Sequence, residues 1–188
     1  MKKFPAALAA LLASSFLLAP SARPGGVAHA RIESVDLRRM MKRADGAVFA
    51  EIVGRDVFFA SEEDGPGLYF TRLTLRGIAL DDGRAIEVDV LHHGGILDES
   101  NGAWNSEAPS ADDTALGTRV IAFYTWVDDL GGGTAGNALF GSQGGIYRIV
   151  EGPLGATVLG RGAGFAVNHN VSVGALTRAI ETLSVEAR

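Results

Sequence analysis

The chain has 188 residues, a formal net charge of −5 at pH 7 and no cysteine. Its length fits one domain, and the lack of cysteine excludes disulfides, zinc-ribbon sites and a cysteine nucleophile. The acidic balance argues against nucleic acid or an anionic membrane as the main partner, because both attract basic surfaces.

The first thirty residues have the parts of a secretory signal peptide. Lys2 and Lys3 precede an apolar run over 6–19, and Ala28-His29-Ala30 is a small-x-small cleavage pattern. The run is shorter than the roughly 20 residues that span a bilayer. We therefore predict that 1–30 is cleaved. The mature chain, 31–188, would begin at Arg31 with 14 basic and 22 acidic residues, a net charge of −8. We expect it in the periplasm or outside the cell, with no membrane insertion after cleavage.

Short helices are predicted at both ends of this single mature domain. The first covers about 34–44, with Ser34 as its N-cap and Asp45-Gly46 as its stop. The second covers about 172–186 and is capped by Ser172. Each carries an apolar stripe at helical spacing: Leu37, Met40, Met41 and Ala44 in the first, and Val173, Leu176, Ile180 and Leu183 in the second.

Between the helices the apolar period changes to two, which is typical of strands. Ala47–Phe59 is predicted as a long first strand with a bulge at Gly54. Tyr69, Thr71, Leu73 and Leu75 share one face of the next strand. A turn at Asp82-Gly83 then returns the chain as a hairpin, which would place Arg76 near Asp89 on the outward face.

The second half of the chain contains one long loop and several short strands. The stretch 92–117 has no sustained period and is predicted to be a loop. Thr118–Val127 is apolar on both faces, which indicates a central strand covered on both sides. Short strands divided by glycine turns follow at 138–140, 146–150 and 157–159.

This order predicts a mainly β fold, a small closed or partly open antiparallel β-barrel with a short helix at each end. Glycines at bulges let such a sheet bend sharply. A two-sheet β-sandwich is the alternative.

Five segments occur in a fixed order between the two helices: Arg43–Gly54, Leu73–Leu80, Val88–Gly95, Leu116–Val127 and Ala138–Val150. This order resembles that of a group of exported bacterial domains of poorly defined function. More distantly it is similar to the OB-type barrel of the tissue inhibitors of metalloproteinases and netrin-like modules. The resemblance implies an OB-like barrel and a non-enzymatic binding role. Those inhibitors chelate the target's zinc through an N-terminal cysteine, and Arg31 stands at the expected N-terminus here.

Two adjacent histidines, His92 and His93, stand before Gly94-Gly95 and are the candidate metal ligands. Neighbours in a strand point to opposite faces, so one metal could hold both only if the backbone turns there. Asp98 or Glu99 would complete the set as a carboxylate ligand, and a zinc site normally needs three or four converging ligands. The other interpretation is that the histidines mark the exit of a strand.

No other catalytic constellation is predicted, and no cofactor is expected. Gly131–Gly136 formally matches a dinucleotide-binding pattern, but strand-like sequence follows it instead of the required helix. Gly141–Gly145 lacks the spacing of a nucleophile turn around Ser142. The acidic pairs in the chain lie at predicted turns and lack the spacing of a calcium loop.

The acidic loop over 98–113 is the best candidate for a recognition surface, because a tryptophan in a loop often anchors a protein contact. Trp104 would be that anchor, or it would fold back and plug one end of the barrel. The accompanying acidic candidates are Asp98, Glu99, Glu107, Asp112 and Asp113.

We therefore expect an exported, non-enzymatic module that binds a protein, with a secreted protease or a component of the cell envelope as its partner. The alternative is a metal-binding protein or metal-dependent enzyme that uses His92 and His93 with a nearby carboxylate.

Overall fold

The computed structural model describes residues 36–62, 67–153 and 155–186, which belong to one compact unit. Helix α1 spans Leu37–Arg43 and α2 spans Val173–Glu186. The carboxylate of Asp36 caps α1 by accepting a 2.7 Å hydrogen bond from the amide of Arg39. Ser34, the cap expected from the sequence, and the expected signal peptide lie outside the described residues. Within the described ranges, no helix is both long and apolar enough to cross a membrane.

Five strands close into a barrel, as the sequence predicts. They are β1 (Gly46–Ala60), β2 (Leu68–Ala79), β3 (Ala85–His93), β6 (Arg119–Val127) and β7 (Gly136–Leu139). Each is hydrogen-bonded to the next in the order β1-β2-β3-β7-β6, and β6 pairs again with β1. All neighbours are antiparallel except β3 and β7, which are parallel. The closed ring makes this a small β-barrel and not a sandwich.

The remaining strands are short and lie outside the barrel. A two-stranded ribbon, Gly94–Trp104, follows β3, and three strands continue the sheet from β6 toward the C-terminal helix. A 3-10 turn, Ser142–Gly145, leads into the first of those three. The ribbon is β4 (Gly95–Ile96) with β5 (Gly102–Ala103), and the extension is β8 (Ile146–Gly152), β9 (Gly155–Val158) and β10 (Val171–Ser172).

A bulge in β1 allows the barrel to close. Ile52 pairs with Leu75 and Gly54 pairs with Thr74, so Val53 is the extra residue on the bulged strand. The segment before the bulge, Gly46–Glu51, also pairs with β6 on its other edge. The bulge predicted at Gly54 is therefore confirmed to within one residue.

Strand β6 lies between two apolar clusters, which explains why its sequence is apolar on both faces. Val120 and Ala122 face the barrel interior, where they meet residues from the other four barrel strands. Ile121 and Phe123 face the opposite side and pack under both helices. All four are fully buried. The prediction of a central strand over 118–127 is confirmed.

The hairpin of β2 and β3 has a different register from the predicted one. Arg76 lies opposite Glu87, and its Nε donates a 2.7 Å hydrogen bond to that carboxylate. Asp89 lies opposite Thr74 instead. The prediction that Arg76 approaches Asp89 is wrong, because the turn closes earlier, with the amide of Ala79 donating to the carbonyl of Arg84.

Candidate functional site

The two histidines lie where β3 leaves the barrel, and they point in different directions. His92 follows Val90 on the inward face and is only 8% exposed. Its Nδ1 lies 3.1 Å from the carbonyl oxygen of His93, while its Nε2 is buried without a hydrogen-bond partner among the described residues. The ring of His93 packs against Phe70, with 4.8 Å between centroids.

Burial lowers the pKa of His92 below its ordinary value, because a buried imidazole loses hydration that its charged form needs. The contact with the His93 carbonyl opposes this shift, and the charges of Arg55 and His93 add to it. His92 therefore favours the neutral form inside the barrel end.

Asp98 is occupied within its own turn. Its carboxylate accepts hydrogen bonds from the amides of Ser100 (2.8 Å) and Asn101 (2.9 Å) and from the Asn101 side chain. The hydrogen bond from the side-chain amide of Asn101 lowers the pKa of Asp98 most, followed by the hydrogen bond from the backbone amide of Ser100. Across the described residues, no group of three or more His, Cys, Asp or Glu side chains is placed to hold a metal ion. His92, His93 and Asp98 do not form such a group.

The ribbon, here defined as Gly94–Trp104, is fixed to the barrel at its root. The hydroxyl of Thr71 donates a 2.7 Å hydrogen bond to the carbonyl of Gly94, and the amide of Gly94 donates a 2.7 Å bond to the carbonyl of Tyr69. A Cβ on Gly95 would lie 2.6 Å from Thr71 Oγ1 and 2.8 Å from a methyl group of Val57. The Gly-Gly pair is thus required because the backbone lies directly on the end of the barrel.

The ribbon exposes three large apolar side chains. Trp104 is 84% exposed, Ile96 is 64% exposed and Leu97 is 47% exposed. Ile96 pairs with Gly102, and a Cβ there would lie 2.9 Å from Ile96 Cδ1. Trp104 follows β5 directly and lies at the root of the ribbon. The prediction that Trp104 plugs the barrel is wrong, because its side chain is exposed to solvent.

The acidic candidates fall into two sets. Asp98, Glu99 and Glu107 are exposed on or beside the ribbon, and the side chain of Asp112 is 78% exposed farther along the chain. Asp113 is the exception, because its side chain is only 12% exposed. Its carboxylate lies 2.8 Å from Nη2 of Arg161 and accepts a 2.6 Å hydrogen bond from Ser110. Asp113 therefore lies apart from the exposed surface.

Ile96 and Leu97 are exposed apolar residues of the ribbon that were not predicted from the sequence. The signal was present as an apolar pair directly after Gly94-Gly95, inside a stretch without strand or helix periodicity. Two apolar residues that no periodic element can bury are candidates for exposure.

In comparisons with known proteins, no protein-family model, no curated protein and no solved structure matches the chain.

Proposed function

We propose that this chain is an exported, non-enzymatic protein-binding module whose ribbon enters an apolar cleft on a secreted protease or an envelope protein. The observation that carries the proposal is the exposure of three large apolar side chains, Ile96, Leu97 and Trp104, on one short ribbon that is hydrogen-bonded to the barrel. Tryptophan is enriched among the residues that dominate protein interfaces. Large apolar side chains exposed on one short segment are typical of interaction sites.

The ribbon is held in shape by its own hydrogen bonds. Asp98 organises the tip through Ser100 and Asn101, and the amide of Leu97 donates to the carbonyl of Asn101 at 2.9 Å. At the base, the side-chain amide of Asn105 donates to the carbonyl of His93 at 3.2 Å. A preorganised loop loses less conformational entropy on binding, so more of its contact energy appears as affinity.

The charges beside the ribbon define the chemistry of the partner. Glu99 and Glu107 are exposed, and Asp98 keeps an ionised carboxylate in the turn. An apolar ribbon with an acidic border fits an apolar cleft that is rimmed by lysine or arginine. The resemblance to metalloproteinase inhibitors supports a protease as the partner. The ribbon would supply the contact, since the chelating cysteine is missing.

The binding role is tested by capture from the secreted protein fraction, followed by affinity measurement with the purified partner. We expect Trp104→Ala to weaken binding by about 30-fold, the equivalent of a loss of about 2 kcal/mol at an interface hot spot. The matched control is Trp126→Ala, which removes the other exposed tryptophan, 56% exposed on β6. Equal affinities for wild type and Trp104→Ala would contradict the proposal.

The acidic border has its own test. Glu99→Gln combined with Glu107→Gln should slow association and reduce its dependence on salt, because border charges steer the encounter more than they hold the complex. Association rates at low and high ionic strength measure this. An unchanged salt dependence would argue against a basic-rimmed cleft.

Export is tested separately. The intact mass and N-terminal sequence of the protein recovered from outside the cytoplasm should show Arg31 as the first residue. Recovery only in the cytoplasm with residues 1–30 retained would refute the exported location.

A further inference from the structure

A second site is lined by no residue of the ribbon. It is a cavity of about 420 Å³ formed by β8, the 3-10 turn and the loop that follows β9. This volume is within the range of small-molecule sites. Its walls include Asp113, Gln143, Arg148, Leu159, Arg161 and Phe165.

Arg161 is a fixed part of the wall. Its Nε and Nη2 donate to the carbonyl of Ile146 at 3.0 and 2.8 Å, and Nη2 also reaches Asp113 at 2.8 Å. The guanidinium lies 5.7 Å from the ring centroid of Tyr147. These contacts account for its charge and for its position, so Arg161 shapes the cavity.

Arg148 is different, because its Nε donor is unsatisfied. Its Nε is buried and has no hydrogen-bond partner among the described residues. The nearest carboxylate oxygens are at 3.7 Å from Nε, on Asp113, and at 3.5 Å from Nη1, on the exposed Asp112. A buried guanidinium N–H without an acceptor is costly, since folding has removed its water. An anion in the cavity would supply that acceptor.

We propose that this cavity binds a carboxylate attached to an apolar group, with Arg148 as its principal partner. The two guanidinium groups and the two neighbouring carboxylates, the buried Asp113 and the exposed Asp112, cancel in charge, so a singly charged carboxylate meets less repulsion there than a doubly charged phosphate. The planar fork of arginine suits the two oxygens of a carboxylate. Leu159 and Phe165 provide apolar walls for the attached group.

The test is a titration of the full chain with 3-phenylpropionate, acetate and inorganic phosphate, followed by amide chemical shifts. We expect 3-phenylpropionate to bind most tightly and phosphate most weakly. Arg148→Gln should weaken 3-phenylpropionate binding at least about tenfold, because a charge-assisted hydrogen bond is lost. Arg178→Gln, which removes an exposed arginine of α2, should not change it. Phe165→Ala should reduce the affinity for 3-phenylpropionate to that for acetate.

Two peptides distinguish a free acid from a chain terminus as the natural ligand. A short peptide ending in phenylalanine is compared with its C-terminal amide. Binding of the free-carboxylate peptide as tightly as 3-phenylpropionate supports the site and assigns it to chain termini. Binding of 3-phenylpropionate alone supports it and assigns it to small acids.

Several results would overturn the proposal. They are tighter binding of phosphate, equal effects of Arg148→Gln and Arg178→Gln, undiminished binding of the amidated peptide, or no saturable binding of any carboxylate. If Arg148→Gln does not fold, Arg148→Lys, which keeps the charge and loses the fork, decides together with Phe165→Ala. Trp104→Ala should leave carboxylate binding unchanged, so this site and the ribbon fail or succeed independently.

Discussion

The hydroxyl of Thr71 donates a 2.7 Å hydrogen bond to the carbonyl oxygen of Gly94, across 23 residues of sequence. Thr71 is fully buried on β2, and Gly94 is the first residue of the ribbon. This one side-chain contact joins the barrel to the segment that carries Ile96 and Trp104. The position of the exposed apolar side chains therefore depends on a buried polar group.

Replacing this hydroxyl should destabilise the protein and loosen the ribbon. Thr71→Val keeps the shape of the side chain but leaves the Gly94 carbonyl without its donor, a loss of about 1–3 kcal/mol for a buried polar group. Urea unfolding measures the change in the free energy of unfolding. Hydrogen exchange at the ribbon amides should speed up more than exchange in β6.

Thr74→Val is the matched control for this change. The Thr74 hydroxyl also donates a 2.7 Å hydrogen bond, but to the exposed carboxylate of Asp89, which water can hydrate instead. We expect its cost to stay within about 0.5 kcal/mol. Equal costs for the two variants would show that the Thr71–Gly94 contact does not fix the ribbon.

The exposed indole of Trp104 should contribute little to the free energy of unfolding. Trp104→Ala is expected to change the free energy of unfolding by less than about 0.5 kcal/mol, because the indole is 84% exposed. Phe70→Ala, at a fully buried ring, should cost about 3–5 kcal/mol. Thermal and urea unfolding of both variants measure this. A large loss for Trp104→Ala would mean that the indole packs against the protein in solution.

Strand β6 shows why the barrel could be predicted from sequence. Its continuous apolar run is possible only where both faces are covered, and the structure places the barrel interior on one side and the helices on the other. The register of the hairpin of β2 and β3 was harder to predict. A shift of two residues keeps every side chain on its predicted face, so the alternation alone fits Asp89 and Glu87 equally well as partners of Arg76.

The candidate site depends on contacts that local sequence does not encode. Strands of two residues, such as those of the ribbon, are too short to show a period. The Thr71–Gly94 bond and the approach of Arg161 to Asp113 join residues 23 and 48 positions apart. Sequence indicated Trp104 as exposed or folded inward, and only the exposure of its side chain in the structure decided between them.

Gly77 should be intolerant of any side chain. A Cβ there would lie 2.5 Å from Ala50 Cα and closer still to the carbonyl oxygen of Phe49, both on the backbone of β1. Backbone cannot move aside cheaply, so we expect Gly77→Ala to cost about 3 kcal/mol through overpacking. Gly83→Ala is the control, because open space surrounds it and only its φ of +74° is unfavourable. That strain should cost about 1–2 kcal/mol. A smaller loss at Gly77 than at Gly83 in urea unfolding would contradict the close approach of β1 and β2.

His92 should make stability depend on pH below about 6.5, the ordinary value of a histidine. Burial lowers the pKa of His92 in the folded protein below its value in the unfolded chain. The contact with the His93 carbonyl opposes this shift, and the charges of Arg55 and His93 add to it. As the pH falls through about 6.5, His92 binds a proton in the unfolded chain but stays neutral in the folded protein. The free energy of unfolding therefore decreases with falling pH, by at most about 1.4 kcal/mol per pH unit for this proton.

The measurement is urea unfolding between about pH 7.5 and pH 5, above the range in which carboxylates titrate. His92→Asn places an amide where Nδ1 contacts the His93 carbonyl and does not titrate, so most of the slope should disappear. His169→Asn alters an exposed histidine and should leave the slope intact. If His92→Asn retains the full pH dependence, the proton is taken up elsewhere and the buried imidazole is not its source. If the slope disappears only in His92→Asn, the neutral histidine under the ribbon root limits the stability of the barrel in mild acid.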